Sequence, residues 1–416
     1  MQKKVNNLKQ LEQWKSIVAD KFPNLSKPQA VVLALWSFGM TLAKSCGITS
    51  VVIILASLLS ADKDRRTIVR KENSLRQRLR QWCYDAQDKN GDKRDQVNVE
   101  SCFPFILKWV ISLWQGEQIA LALDATTLSD RLTVLAISVL YRGCAIPVAW
   151  KILKGNTKGS WNKQWLNMLG LLKPCIPDNM TVIVLTDRGL FSRDLFHAIR
   201  RQGWHPFMRR SILGMFRPAC GHYFRDLTCF AQKPGAFWYG NGTLFKTKKK
   251  QVKCVLLAYW GESQKEPWFI ITDMQPQETN VQWYGLRMWI EQSFRTIKRG
   301  GWQWHRTRMT DPERVSRHWL AISVATLWLV CVGGEADEAI LQIDIAEPTC
   351  RSGKCRPRKA SRMRMTSVFQ RGWVSILVSL IHHLPLPLGR FIPEPWLPVG
   401  ETLTCYETCC ELDKCA

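Results

Sequence analysis

Negative charge is scarce in this sequence. Its 416 residues hold 34 Asp and Glu against 59 Lys and Arg, a formal charge of +25 at pH 7. The deficit points to a polyanionic partner, nucleic acid first, because Lys and Arg that neutralise phosphates supply most of the affinity in such complexes. An unbroken apolar run is also missing. Ala30 to Leu59 carries one charge, Lys44, but Lys44-Ser-Cys-Gly47 interrupts it and leaves pieces shorter than the roughly 20 residues of a membrane span. A buried helical hairpin is expected there, and no membrane partner. The polar start, Met1-Gln-Lys-Lys-Val, shows no secretory leader. The 15 cysteines are an odd number and scatter through apolar runs such as those around Cys144, Cys175 and Cys254. Reduced buried thiols in a cytoplasmic protein are the expectation, and a chain this long buries enough core to need no disulfide staple. A standard pair of close cysteine knuckles is lacking as well. Cys350 and Cys355, with Cys405, Cys409, Cys410 and Cys415, do not have the usual zinc-knuckle spacing.

What is present divides along the chain. Residues 1–100 read as helical, with Leu8, Leu11 and Trp14 at helical spacing and a basic amphipathic helix at Leu75–Trp82. This region is expected to be an N-terminal DNA-binding domain, although a basic face can equally be ordinary solvated surface. Asp88–Asp95 is charged and rich in turn residues, and so marks a boundary. Three strand-like runs follow, ending near Asp124, Tyr141 and Leu153, then a helix over Trp161–Leu172 and a fourth strand, Thr181–Thr186, before Asp187. Continuous apolar strands separated by helices define an α/β fold with a mixed, buried sheet flanked by helices. Short strand-like runs with Gly and Asn turns over 211–280 suggest a β-rich insertion, with Lys248, Lys249 and Lys250 in a basic hairpin arm. Beyond 330 the sequence is basic and Cys-rich, with a basic linker at Arg351–Arg364.

The stretch from Tyr284 to Lys298 concentrates the chemistry. At about 100° per residue, Tyr284, Arg287, Glu291 and Lys298 share one face of a helix, with Leu286, Trp289, Ile290, Phe294 and Ile297 opposite. Taken alone this is a solvated polar face. Asp124 and Asp187 change the reading, because each ends an apolar strand where sites commonly form. Three carboxylates on rigid elements suit hard divalent ions, Mg²⁺ or Mn²⁺, and two such ions can activate a nucleophile and stabilise the leaving oxygen of a phosphodiester. Asp130 competes with Asp124 for the first position, and Asp226 and Asp273 compete with Asp187 for the second.

These residues carry a resemblance. Asp124-Ala-Thr-Thr, Thr186-Asp187-Arg188-Gly-Leu-Phe and the spaced set Tyr284, Arg287, Glu291, Lys298 resemble the signature regions of DDE transposases of bacterial insertion sequences, the last of them the Tyr-Arg-Glu-Lys signature of the insertion-sequence-four family. The likeness runs from about Leu121 to Lys298. It implies a ribonuclease-H-like catalytic domain over 117–330, and the 104 positions between Asp187 and Glu291 leave room for the β-rich insertion. It also implies cut-and-paste transposition on chromosomal DNA: metal-activated water cuts at the element's end, and the freed 3′-hydroxyl attacks the target. Asp124, Asp187 and Glu291 would hold two ions, and Arg287, Lys298, Arg188 and the lysine arm would contact double-stranded DNA. Tyr284 would lie on the same strand, and a homodimer would pair the two ends. In relatives a Trp in the insertion stacks on a flipped base; Trp238, Trp260 and Trp268 are the candidates. Trp302, Trp304 and His305 either extend the DNA surface or belong to the core. The same residues also suit a decayed or domesticated DNA-binding relative, or a nuclease that cuts without joining.

Overall fold

The computed structural model describes residues 2–60, 64–90, 95–155, 157, 159, 161–346 and 366–399; the six C-terminal cysteines and the basic linker considered above lie outside them. Helices come first: α1 (Gln2–Lys21), α2 (Lys27–Ala43), α3 (Ile48–Leu59), α4 (Arg65–Cys83) and α5 (Phe103–Ser112). Their starts follow local chemistry. Pro28 sits in the first turn of α2, where its missing N–H is not needed, and the Gln29 side chain accepts from the Ser26 N–H at 3.0 Å. Asp64 accepts from the Thr67 N–H at 3.1 Å to open α4. Lys44 takes the left-handed conformation, φ 48°, and ends α2, so α3 leaves at 94°. The expected hairpin is therefore a right-angled corner.

One ten-stranded sheet follows. It begins with β1 (Gln118–Leu128), β2 (Leu132–Tyr141) and β3 (Cys144–Lys154), an antiparallel meander. Pro147 is tolerated in β3 because β3 is the edge strand. Helix α6 (Asn162–Leu172) leads to β4 (Thr181–Thr186), which pairs parallel with β1, and α7 (Arg193–Arg201) leads to β5 (His205–Arg210), parallel with β4. Residues Ile119–Leu123 and Val182–Thr186 are buried without a break, the pattern of strands covered on both faces. The order β3-β2-β1-β4-β5 with β1, β4 and β5 parallel is ribonuclease-H-like, as expected.

The strand-rich stretch supplies β6 (Met215–Pro218), β7 (Arg225–Asp226), β8 (Phe237–Leu244), β9 (Val252–Tyr259) and β10 (Trp268–Thr272). These strands do not form a separate sheet. Strand β10 pairs with β5 and β9, so the order continues β5-β10-β9-β8-β6-β7 in the same sheet. The short strand β5 was not anticipated from sequence; its fully buried core is only Pro206, Phe207 and Met208.

After α8 (Met288–Arg295), helix α9 (Pro312–Ala346) is the molecule's axle, and α10 (Val368–Ile381) lies against it. The sequence boundary at 330 falls inside α9. Pro312–Ile340 is long and apolar enough to cross a membrane, yet 89% of its apolar window is buried inside the protein, because α2, α4, α10 and β3 all pack on it. Trp14 of α1 stacks on Trp328 at 4.0 Å and Trp36 of α2 stacks on His318 at 4.9 Å, so the N-terminal helices share the α9 core. Arg317, buried, ties the exit of α4 to α9 by donating to Cys83 O at 2.6 Å and pairing with Asp85 at 2.7 Å. Trp302 and Trp304 are fully buried, Trp302 donating to Thr326 Oγ1 at 2.8 Å, so both are core residues, whereas His305 is exposed. The thiols of Cys46 and Cys83 are pushed up to about 12 by burial and are inert at neutral pH.

Helices α9 and α10 cross in backbone contact at Gly333 and Gly372. A Cβ on Gly372 would collide with the carbonyl oxygen of Leu329, and one on Gly333 with that of Val368. We expect Gly372→Ala to destabilise the fold by about 1–3 kcal/mol or more through overpacking. Gly170→Ala, on an exposed helical position with nothing within 4 Å, should stabilise it by about 0.5–1 kcal/mol. Denaturant unfolding of both variants checks the pair.

Candidate active site

Strand pairing sets the site. Leu123 of β1 lies opposite Thr186 of β4, and the parallel ladder stops there. Asp124 and Asp187 are the next residues on each strand and so are side by side. Asp124 is not at the end of β1, as the sequence suggested; β1 continues to Leu128, paired with β2 alone. Asp187 follows β4 directly and leads into the short turn Arg188–Leu190.

The third carboxylate arrives on a segment whose helix type changes twice. Val281–Arg287 is 3₁₀, Met288–Arg295 is α and Thr296–Gly300 is π-helical. The uniform helical wheel drawn from the sequence therefore does not hold, since each change of type shifts the angular phase. Packing fixes α8 in place of that wheel. Ile290, Phe294 and Ile297 are buried, and Ser293 Oγ accepts from the Ala145 N–H at the start of β3 at 2.6 Å. Tyr284 is buried and its hydroxyl donates to Thr186 O at 3.2 Å, fixing the 3₁₀ turn to the strand end beside Asp187. Burial pushes its phenol well above the usual range, so it remains a neutral donor.

Arg287 sits at the centre. Its Nη1 donates to Glu291 Oε1 at 2.7 Å and its Nη2 to Asp124 Oδ2 at 3.1 Å, with Asp187 Oδ2 at 3.8 Å from the same nitrogen. The arginine side chain is 9% exposed. Desolvation works against its charge, but Asp124 and the groups around it outweigh that and hold its pKa above the ordinary value. Sequence reasoning set Arg287 toward phosphates; here it lies among the carboxylates. Lys298, half-buried, has its pKa lowered by burial and then by Arg299, and its carbonyl accepts from His305 Nδ1. Asp124 is pushed up to about 6, first by burial, against the pull of Arg287 and the Ala125 N–H, with Asp187 and Glu291 adding to the rise.

The rival carboxylates fall elsewhere. Asp130 is on the exposed β1–β2 turn and Asp226 is exposed on β7. Asp273 pairs with Arg200 and His205; His205 begins β5, so this pair is at the opposite edge of the sheet from Asp187. Of the candidate tryptophans, Trp238 is buried against Phe216 and Phe230, and Trp260 is half-buried with its indole donating to Gln264 O. Trp268 packs edge-on to Tyr284 at 5.2 Å, which puts it beside the site.

A basic surface adjoins Asp187. Glu266 draws together Arg209 at 2.6 Å and Arg188 at 3.4 Å. Lys248, Lys249 and Lys250 are exposed at the tip of the β8–β9 hairpin, and Arg193 donates to Lys249 O at 2.7 Å, linking that tip to α7. Arg210 lies over Phe191 and Phe245 at 4.7 and 5.1 Å. Arg209 and Arg210 were missed from sequence because the pairing of β5 with β4 carries them here, and Arg193 because the start of α7 meets the hairpin tip only in the fold.

Asp124, Asp187 and Glu291 are oxygen donors of the kind hard divalent ions prefer, and in donor chemistry they fit such a group. As they stand, the three are spread around the guanidinium. Among the described residues no three His, Cys, Asp or Glu are grouped closely enough to hold an ion.

With the geometry in place, comparison with known families becomes informative. Residues 162–328 match the family model described as the transposase DDE domain. The match runs from α6 into α9 and takes in Asp187 and Glu291, while Asp124 precedes it. It supports a DDE transposase, and with it transposase activity in general and DNA as the partner. A comparison with curated proteins finds no match.

The raised pKa of Asp124 has a consequence for stability. With the folded value near 6 and the ordinary value 3.8, the protonated form is favoured by folding, so this contribution is complete below about pH 4 and lost as pH rises through 6. Asp124→Asn should therefore be more stable than the parent in chelator at pH 7, by on the order of 1–3 kcal/mol. The gap should shrink toward pH 4, and thermal melts across that range read it directly.

Proposed function

We propose that this protein is a cut-and-paste transposase of the insertion-sequence-four type. It would cleave DNA at the ends of its element and join the freed 3′ ends to target DNA. The observation that carries the proposal is the convergence of Asp124, Asp187 and Glu291 on Arg287, with Tyr284 fixed to the strand end between them. Asp124, Asp187 and Glu291 would hold two Mg²⁺ or Mn²⁺ ions. When bound there, such ions lower the pKa of an attacking water or 3′-hydroxyl and stabilise the leaving oxygen.

The remaining residues bind and orient. Arg188, beside Asp187, and Lys248, Lys249 and Lys250 on the hairpin tip line a path along which a DNA backbone would approach. Arg287 and Lys298 would meet phosphates near the cut, Arg287 as a permanent cation with a planar fork and Lys298 as an ammonium whose charge a neighbouring phosphate would favour. Of the three candidate tryptophans, Trp268 would be the one to stack on an unpaired base, a reading supported by its packing on Tyr284 beside the site. Helix α4 buries Leu75, Leu79 and Trp82 and leaves Arg66, Arg70, Arg78 and Arg80 exposed, which supports a DNA-contacting role for the N-terminal helices. Two copies would pair two element ends, with the reaction run on DNA in the cytoplasm.

The test is cleavage and joining of a fragment carrying the sequences that flank the gene, with Mg²⁺, for the parent and Glu291→Gln. The parent should cut and join, and the variant, which loses the negative charge of the side chain, should bind the fragment yet lose on the order of 10²–10³ in rate, the scale for removing one group that stabilises transition-state charge. Equal binding with no cutting by either protein under any metal would leave a DNA-binding relative, and cutting without joining would leave a nuclease. Replacing Lys248, Lys249 and Lys250 by Ala should weaken binding similarly for all sequences. The slope of log K against log salt should flatten by about 0.9 for each phosphate that these lysines neutralise in the parent.

A further inference from the structure

Arg287 is engaged by three carboxylates. Its planar fork serves two of them at once, Glu291 through Nη1 and Asp124 through Nη2, and reaches Asp187 with the same Nη2. The side chain is almost wholly covered, and its Nε is buried without a hydrogen-bond partner. A donor so buried and unsatisfied marks an arrangement held by charge rather than by a completed hydrogen-bond set. Without a cation between them, three ionised carboxylates in a partly desolvated pocket would repel one another.

We propose that Arg287 is the resident counter-cation of the carboxylate triad and competes with divalent ions for the same oxygens. The inference rests on the reading of the triad as a metal site. A divalent cation drawn to Asp124 Oδ2 and Glu291 Oε1 would take the oxygens that the guanidinium now holds, and the two like charges would repel at that range. Occupation of the triad by an ion therefore requires Arg287 to release both carboxylates, which frees its fork for a DNA phosphate. Arg287 is thus a positioning residue that holds the three carboxylates gathered and raises the metal concentration needed to fill the site.

The experiment measures Mn²⁺ binding to the full chain without DNA by electron paramagnetic resonance of free Mn²⁺, at neutral pH. Arg287→Gln should bind Mn²⁺ roughly tenfold tighter than the parent, the usual scale of coupling between two ligands of one site. Arg287→Lys, which keeps the charge but loses the fork, should fall between the two, and Glu291→Gln should bind more weakly than the parent. In chelator Arg287→Gln should melt below the parent, and saturating Mn²⁺ should close that gap. If folded Arg287→Gln binds Mn²⁺ no tighter than the parent while Glu291→Gln still loses binding, the competition is overturned and the metal site stands. If Glu291→Gln leaves Mn²⁺ binding untouched, the metal-site reading fails and the competition fails with it. Should the Gln variant not fold, the Lys variant decides alone: tighter binding than the parent supports the competition, and equal or weaker binding overturns it.

Discussion

The parallel pairing of β1 with β4 is the constraint on which the site depends. Its register puts Leu123 against Thr186, so two aspartates far apart in the chain become neighbours at the point where two interior strands stop pairing. Both strands are buried on both faces, so a slip of one residue would break close packing above and below the sheet. The geometry of the candidate site is therefore held by the packing of two buried strands. Tyr284 extends the same junction, donating to the carbonyl just before Asp187, and thereby couples the Glu291 segment to the strand end.

Around that junction the fold gathers support from distant parts of the chain. After α10, residues 382–399 run back across the molecule. Phe391 exchanges backbone hydrogen bonds with Leu113 and Gln115. The Trp283 indole, one residue before Tyr284, donates to Leu397 O at 2.8 Å, and its ring lies 4.9 Å from Trp396. Gly389 adopts a positive φ of 74° where a Cβ would meet the Cys331 backbone at 2.6 Å, which is how the strap can lie close against α9. The C-terminal part is thus a brace for the segment that carries Tyr284 and Arg287. Arg142 acts similarly at the β2–β3 turn, pairing with Asp337 and Glu338 of α9 and donating to Ile392 O in the strap.

Charge is arranged in two ways. At the site, Arg287 and Asp124 are largely covered, where unbalanced charge is costly, while Asp187 and Glu291 keep contact with solvent. Next to it, lysines and arginines are left exposed, where they are cheap to keep ionised and free to meet phosphates. Glu266 lies at the border, holding Arg188 and Arg209 near Asp187. A charge-rich centre set in a large apolar frame is the usual compromise between stability and function.

Much of this could be read from the sequence, because it is local. The apolar runs that became β1–β4, β8, β9 and β10 and the helical N-terminal region follow from side-chain period, and Asp187 is legible as an acid placed directly after a buried strand. Other features were not legible, because they depend on which elements meet. The strand-rich stretch joined the main sheet through β10 and β5, which is decided by edge-to-edge pairing between segments some sixty residues apart. The N-terminal helices and the C-terminal strap closed on α9 through aromatic packing that no periodicity encodes. The Tyr284–Lys298 segment departed from a uniform helix because packing overrides propensity. The sequence by itself determined the elements, the basic surface and the acidic residues available for chemistry. Only the tertiary structure decided that Arg287 sits among those acids, since a fork of nitrogens settles where long-range folding has gathered the most negative charge.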